Sequence, residues 1–245
     1  MKKYNEYIEN IRSIIDSIEK NGADSIEKTA SVFKDALINN KSIFLFGTGH
    51  SHMLAEELFY RAGGLACFKP VLYEPLMLHV SASESTAIER KEGIAEMLFS
   101  EYGMKKGDVI LIISNSGRNS AIVDMALLCK NSGMTVVALT NLKHTFSQKS
   151  RHKSGKRLCE IADITLDNFG CVGDACLDID GIDGKVCPTS TVAGALILNS
   201  VVAETIEMCL DEGFVPEHFA GANVDGGDET NAKLLEKYKK EIKHL

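Results

Sequence analysis

The chain has 245 residues, 44% of them hydrophobic and 25% charged, which suits a globular protein with one substantial core. A net charge of −7 argues against a nucleic-acid surface, which would need a basic stripe. No window approaches the ~18 apolar residues of a membrane span, and the start Met1-Lys2-Lys3-Tyr4-Asn5-Glu6 turns amphipathic, unlike a signal peptide.

Neither nucleic acid nor membrane is therefore an expected partner, and the cytoplasm is the default location. Ile8, Ile11, Ile14, Ile15 and Ile18 recur at helical spacing until Asn21-Gly22 stops the pattern. Asp24 can cap a second helix that runs to about Leu37 with Ile26, Ala30 and Phe33 on its buried face. Ser42 to Phe46 reads as a short buried strand that breaks into Gly47-Thr48-Gly49-His50-Ser51-His52, with a helix continuing through Leu54, Leu58 and Ala62. Ala66 to Lys69 can form a strand, Tyr73 to Ala87 a loop, and Glu89 to Glu101 a helix. Val109 to Ile113 is a strand followed by the helix Ser120 to Asn131, and Met134 to Leu139 and Ala162 to Leu166 supply two more strands. Asp167 to Pro188 is a Gly/Asp-rich functional loop, Thr189 to Asp211 a long apolar helix, and the last segment, about 212–245, a Gly/Asn/Asp-rich loop with a charged helix. The alternation predicts an α/β fold: a parallel five-stranded sheet with helices on both faces, in one domain over 1–245, with N-terminal helices over about 4–38 and the C-terminal helical addition.

The chemistry gathers at two strand ends. Ile110-Leu111-Ile112-Ile113 stops in Ser114-Asn115-Ser116-Gly117-Arg118-Asn119 just before a helix, a place where unpaired N–H groups and short hydroxyls attract an anion. Gly47 to Ser51 offers a second such turn, and in parallel sheets both strand ends lie on the ligand-binding edge. Neither turn matches the phosphate loop of nucleotide enzymes or a full dinucleotide fingerprint, so a small phosphorylated molecule fits better than a nucleotide. The seven cysteines are irregularly spaced with no C-x-x-C pair, and the closest approach is Cys171 to Cys176; reduced thiols and no metal are the expectation. The basic run Lys149 to Arg157 reads as a solvated loop or a substrate-facing or subunit contact, and His144, His152 and His244 as surface residues.

The Ser-x-Ser-Gly turn, the Gly-Thr-Gly-x-Ser turn and the succession of strands resemble the sugar isomerase (SIS) domain over roughly residues 25–210. Phe46 to His52, Phe59 to Gly64, Ser114 to Asn119, Pro188 to Thr191 and Ala222 to Gly227 are similar to a group of bacterial SIS proteins often described as phosphoheptose isomerases. The resemblance implies a flavodoxin-like fold, a phosphosugar ligand, no cofactor, and a homodimer or homotetramer. It places phosphate donors at Ser51, Ser114, Ser116 and Asn119, with Thr48, Gly49, His50, Asn115 and Arg118 beside them.

Aldose–ketose isomerisation needs a base to move a proton between adjacent carbons and an acid for ring opening. Ala55-Glu56-Glu57-Leu58 resembles the motif whose second glutamate is the base in phosphoheptose isomerases, though it starts four residues nearer the glycine turn, a shift of roughly 5–6 Å along a helix. Those enzymes carry a catalytic histidine on their last helix, and Thr189 to Asp211 contains none. Glu89 is the second candidate base, in a region similar to that supplying a glutamate in SIS-type etherases, and His79 is either a core histidine or the ring-opening acid. The reading is a sugar-phosphate isomerase using a glutamate base; the alternatives are a lyase or etherase on an amino-sugar phosphate, and a phosphosugar sensor without turnover.

Overall fold

Five apolar runs form one parallel sheet in the computed structural model, which describes residues 1–245. The strands are β1 (Ile43–Gly47), β2 (Phe68–Val71), β3 (Val109–Ile113), β4 (Thr135–Thr140) and β5 (Ile164–Asp167), in the order β2-β1-β3-β4-β5. This is the flavodoxin-like order. Every residue of β1 and β3 is buried, because helices cover both faces and period-two alternation divides the side chains between two cores. Ile43, Leu45, Leu111 and Val137 enter one core, while Phe44, Phe46, Ile110 and Val136 enter the other.

The helices are α1 (Lys3–Asn21), α2 (Ala23–Ile38), α3 (His52–Leu58), α4 (Ala82–Ile88), α5 (Ile94–Glu101), α6 (Ser120–Asn131), α7 (Leu142–Ser147), α8 (Ser190–Asp211) and α9 (Gly227–Tyr238). Residues of α1, α2, α3 and α8 line the first core, and those of α5 and α6 the second. The 22-residue α8 reaches the length and apolarity of a membrane span, contrary to the sequence expectation. Its apolar content is explained by packing: Ile197, Leu198 and Val201 are buried in the core shared with Phe33 of α2 and Leu54 of α3. Gly194 permits the close approach of α8 to α3, since a Cβ there would collide with Leu54.

Several elements differ from the sequence expectation. Asp24 does not cap α2; Gly22 occupies the N-cap, and Asp24 pairs with Lys28 at 2.7 Å within the first turns. α3 ends at Leu58, short of Ala62, because Phe59 is extended and Tyr60 adopts a positive φ of 46°. β2 lies two residues later than expected, at Phe68–Val71. The expected loop 73–87 contains α4, whose N-cap Ser81 accepts from Glu84 N–H at 3.4 Å. The expected helix from Glu89 instead begins at Ile94, because Gly93 at φ 87° breaks the chain between α4 and α5. The 167–188 segment holds a small antiparallel hairpin, β6 (Ala175–Leu177) with β7 (Val186–Pro188).

Phe33 is fully buried and meets Phe68 edge to face, with ring centroids 5.8 Å apart. Phe33→Ala is expected to lower stability by about 3–5 kcal/mol, read as a lower urea midpoint at unchanged slope; a loss under about 1 kcal/mol would remove this contact from the core.

Candidate functional site

The strand order reverses at β1: β2 lies on one side of it and β3 on the other. The crevice beyond β1 and β3 is the ligand position that this topology creates. Register brings the two ends level, Gly47 pairing with Ile113, so the turns after each strand begin side by side.

The second turn is pinned from behind and open in front. The carbonyls of Asn115, Ser116, Gly117 and Arg118 accept from Asn141 N–H, Thr145 Oγ1, Leu158 N–H and Arg151 N–H at 3.2, 3.0, 2.8 and 3.0 Å. Ser114 Oγ accepts from Gly117 N–H at 3.1 Å, and Gly117 takes φ 58°, which glycine adopts without strain. The N–H groups of Asn115, Ser116, Arg118 and Asn119 meet no acceptor in the protein. In the first turn the N–H groups of Gly49 and His50 are equally unengaged. A Cβ on Gly47 would lie 2.7 Å from the carbonyl of Ser51, so only glycine allows the chain to fold back this tightly. With the second turn's carbonyls occupied and six N–H groups of the two turns left without acceptors, these turns can receive an anion.

A narrow cleft opens between the turns and the start of α8. His50, Ser51, Asn115, Asn168, Ser190 and Thr191 supply its polar wall, and Leu54, Ile113 and Leu139 its apolar floor. Asn168 is buried and donates to Asn115 Oδ1 at 2.8 Å, which holds that amide in place. The hairpin reaches the start of α8 through Asp174, whose carboxylate accepts from Thr189 N–H, Ser190 N–H and Ser190 Oγ at 3.0, 2.8 and 2.7 Å. It is an N-cap supplied from a distant part of the sequence.

Glu89, at the C-cap of α4, does not line the cleft but reaches both turns. Its Oε2 accepts from Thr48 Oγ1 at 2.9 Å and its Oε1 from Asn119 Nδ2 at 2.8 Å, so one carboxylate ties the two turns together. Its backbone carbonyl also accepts from Ala121 N–H at 3.0 Å. Burial pushes the Glu89 carboxyl above its ordinary range, opposed by the Thr48 hydroxyl and by the charges of Arg90 and Arg151.

Thr48, Gly49, His50, Ser51, Ser114, Asn115 and Ser116 thus meet at one edge. Asn119 faces Glu89 and Arg151, and Arg118 Nη1 donates to Gln148 Oε1 at 3.0 Å. Glu57 lies elsewhere: it pairs with Arg61 at 2.5 Å and accepts from Asn199 of α8 at 3.2 Å, and it does not line the cleft. His79 is exposed in the turn before α4 and makes no side-chain hydrogen bond, so it is not a core histidine. His52 is buried, with Nδ1 against the Gly49 carbonyl. His152, expected at the surface, is buried against Asp124 at 2.9 Å, and its segment folds back onto the second turn. The sequence reading missed Asn168, Ser190 and Thr191. The polar end of β5 and the Pro-Thr-Ser-Thr run before α8 were the available signals.

The SIS domain model matches residues 6–141. A UPF0309 protein of Listeria innocua is 43% identical over 238 residues, covering 97% of this chain and 96% of the relative. One from Caldanaerobacter subterraneus is 45% identical over 242 residues, covering 98% of each. Among solved structures, a phosphoheptose isomerase from Francisella tularensis shares the fold with a TM-score of 0.53 at 19% identity, over 84% of this chain and 97% of that one. A phosphoheptose isomerase from Neisseria gonorrhoeae gives 0.51 at 17% identity, over 86% and 97%.

The raised carboxyl of Glu89 makes a prediction about stability. A folded pKa above the unfolded ~4.3 means that stability falls as pH rises through the window between the two values. Glu89→Gln, which removes the charge and retains the acceptor, is expected to raise Tm at about pH 7 relative to wild type, with the gap closing near pH 4. Melting curves across that range check it; a gap that does not depend on pH would assign the carboxyl an ordinary pKa.

Proposed function

Since this chain belongs to the SIS domain family, we propose that it is a sugar-phosphate isomerase that interconverts an aldose and a ketose. The carrying observation is the adjacent pair of turns, whose N–H groups lack acceptors while the carbonyls of the second are held by the segments behind it. Six unengaged donors, from Gly49, His50, Asn115, Ser116, Arg118 and Asn119, suit the oxygens of a phosphate monoester, with Ser51 and Ser116 hydroxyls beside them. Neutral donors at a strand edge bind phosphate without requiring a metal or an organic cofactor.

Glu89 is the proposed base. It takes the proton from C2 of the open-chain aldose, the electron pair forms an enediolate with its charge on O1, the O2 hydroxyl proton passes to O1, and the first proton returns at C1 as the carbonyl forms at C2. A half-buried carboxyl with a raised pKa is a stronger base than an exposed one, and each oxygen keeps a lone pair beyond the bond it accepts. His50, exposed on the cleft wall, is the proposed partner for ring opening in place of His79, which does not line the cleft. Glu57 is held by Arg61 and Asn199, which favours Glu89 over it.

Seven unpaired cysteines support a cytoplasmic location. The exposed stripe Tyr4, Ile8 and Ile15 on α1 supports a second copy of this chain as partner, in a homodimer or homotetramer. One observation favours the sensor reading: both Glu89 oxygens are already engaged by the turns, an arrangement that also suits a binding site without turnover.

Incubation with hexose, heptose and N-acetylhexosamine phosphates in deuterium oxide, followed by NMR, separates these readings. Deuterium incorporation at C2 is expected for one of them, with Glu89→Gln slowing it about 10²–10⁴-fold and Ser116→Ala weakening binding. Tight binding without exchange would establish the sensor instead, and full exchange in Glu89→Gln would remove Glu89 as base.

A further inference from the structure

The chain has six arginines, at 12, 61, 90, 118, 151 and 157. Three of them are ion-paired: Arg12 with Glu9, Arg61 with Glu57 and Arg157 with Glu160. Arg90, Arg118 and Arg151 are not, and these are the three gathered around the Glu89–Asn119 bridge. Arg151 reaches Asn119 Oδ1 at 3.1 Å, and its N–H bonds the Arg118 carbonyl at 3.0 Å. Burial together with the charges of Arg151 and Arg90 disfavours the Arg118 charge. The Nε of Arg118 is buried without any hydrogen-bond partner. Arg90 is exposed, and its guanidinium makes no hydrogen bond.

Like charges drawn together in an acidic protein are unfavourable, and a buried guanidinium N–H left unmatched costs the protein further. Glu89 acts on Arg90 and Arg151 through its charge but hydrogen-bonds Thr48 and Asn119, so none of the three guanidinium groups is paired with it. An arriving anion would answer all three cations and the unmatched Nε. Asn119 carries both an unengaged N–H and the side chain that Arg151 reaches, so the cluster adjoins the turn that would hold the phosphate.

We propose that the Arg90–Arg118–Arg151 cluster binds a second anionic group, a carboxylate or a second phosphate, on the same sugar phosphate. This rests on the sugar-phosphate reading above and narrows it to doubly anionic sugars. Planar guanidinium forks match either oxyanion.

Isothermal titration at low ionic strength with a hexose monophosphate, the corresponding bisphosphate and the corresponding phosphorylated sugar acid tests it. One or both doubly anionic ligands are expected to bind at least about tenfold tighter than the monophosphate, and which one does so identifies the second group. The advantage is expected to fall to about threefold or less in Arg90→Gln/Arg151→Gln. Because the Arg90 side chain makes no hydrogen bond, Arg90→Gln alone provides a variant that folds as wild type, and it is expected to lose part of the advantage. Equal affinity for all three ligands, or an equal loss for all three in the double variant, would assign the arginines to the single phosphate and overturn the proposal. Failure of every ligand to bind would bring down the sugar-phosphate reading, and this inference with it.

Discussion

The carboxylate of Glu89 accepts from Thr48 on the turn after β1 and from Asn119 on the turn after β3, and the geometry of the sheet edge depends on that double bond. No backbone hydrogen bond joins residues 48–51 of the first turn to residues 114–119 of the second. The first folds tightly on Gly47, and the second hangs by its carbonyls from α7, β4 and the 149–158 segment. A carboxylate is the one common side chain that accepts from two donors at once and carries charge. Its cost is desolvation, which the nearby guanidinium groups offset in part.

A division of labour follows along the edge. The cleft is lined by hydroxyls, amides and His50 and by no carboxylate or guanidinium; Glu89 and Arg151 gather instead at Thr48 and Asn119. Asp174 extends this arrangement to α8 by occupying the first N–H groups of that helix. The helix start is thereby fixed in place, and Ser190 and Thr191 become part of the wall. Rigid framing of this kind limits the reorganisation a bound ligand would demand.

The sheet and both turns were legible in the sequence because local rules govern them. Apolar runs such as Val109 to Ile113 end in residues that can only be turns or caps, and the strand–helix alternation leaves one fold class open. Glu89 was named from the sequence but placed at a helix start, because the break at Gly93 was read through and the Ser81-x-x-Glu84 cap was overlooked. Glu57 was drawn from a motif. Where a helical glutamate points depends on which helix packs beside it, and here that is α8 with Asn199, a partner 142 residues away. Asn168, Asp174 and Arg151 belong to the same class: their importance comes from tertiary neighbours that local periodicity does not encode. The burial of His152 against Asp124 was hidden for the same reason.

Gly194 has a consequence for ligand size. The two side chains nearest to where its Cβ would be are Leu54 and Leu139, and both form the floor of the cleft. Any larger residue at 194 would displace Leu54 and so reshape that floor. The shape of the cleft is therefore set in part by a residue on the far side of its own floor. Relatives with bulk at that position would need a smaller residue in place of Leu54 to admit the same guest, so the two sites should vary as a pair.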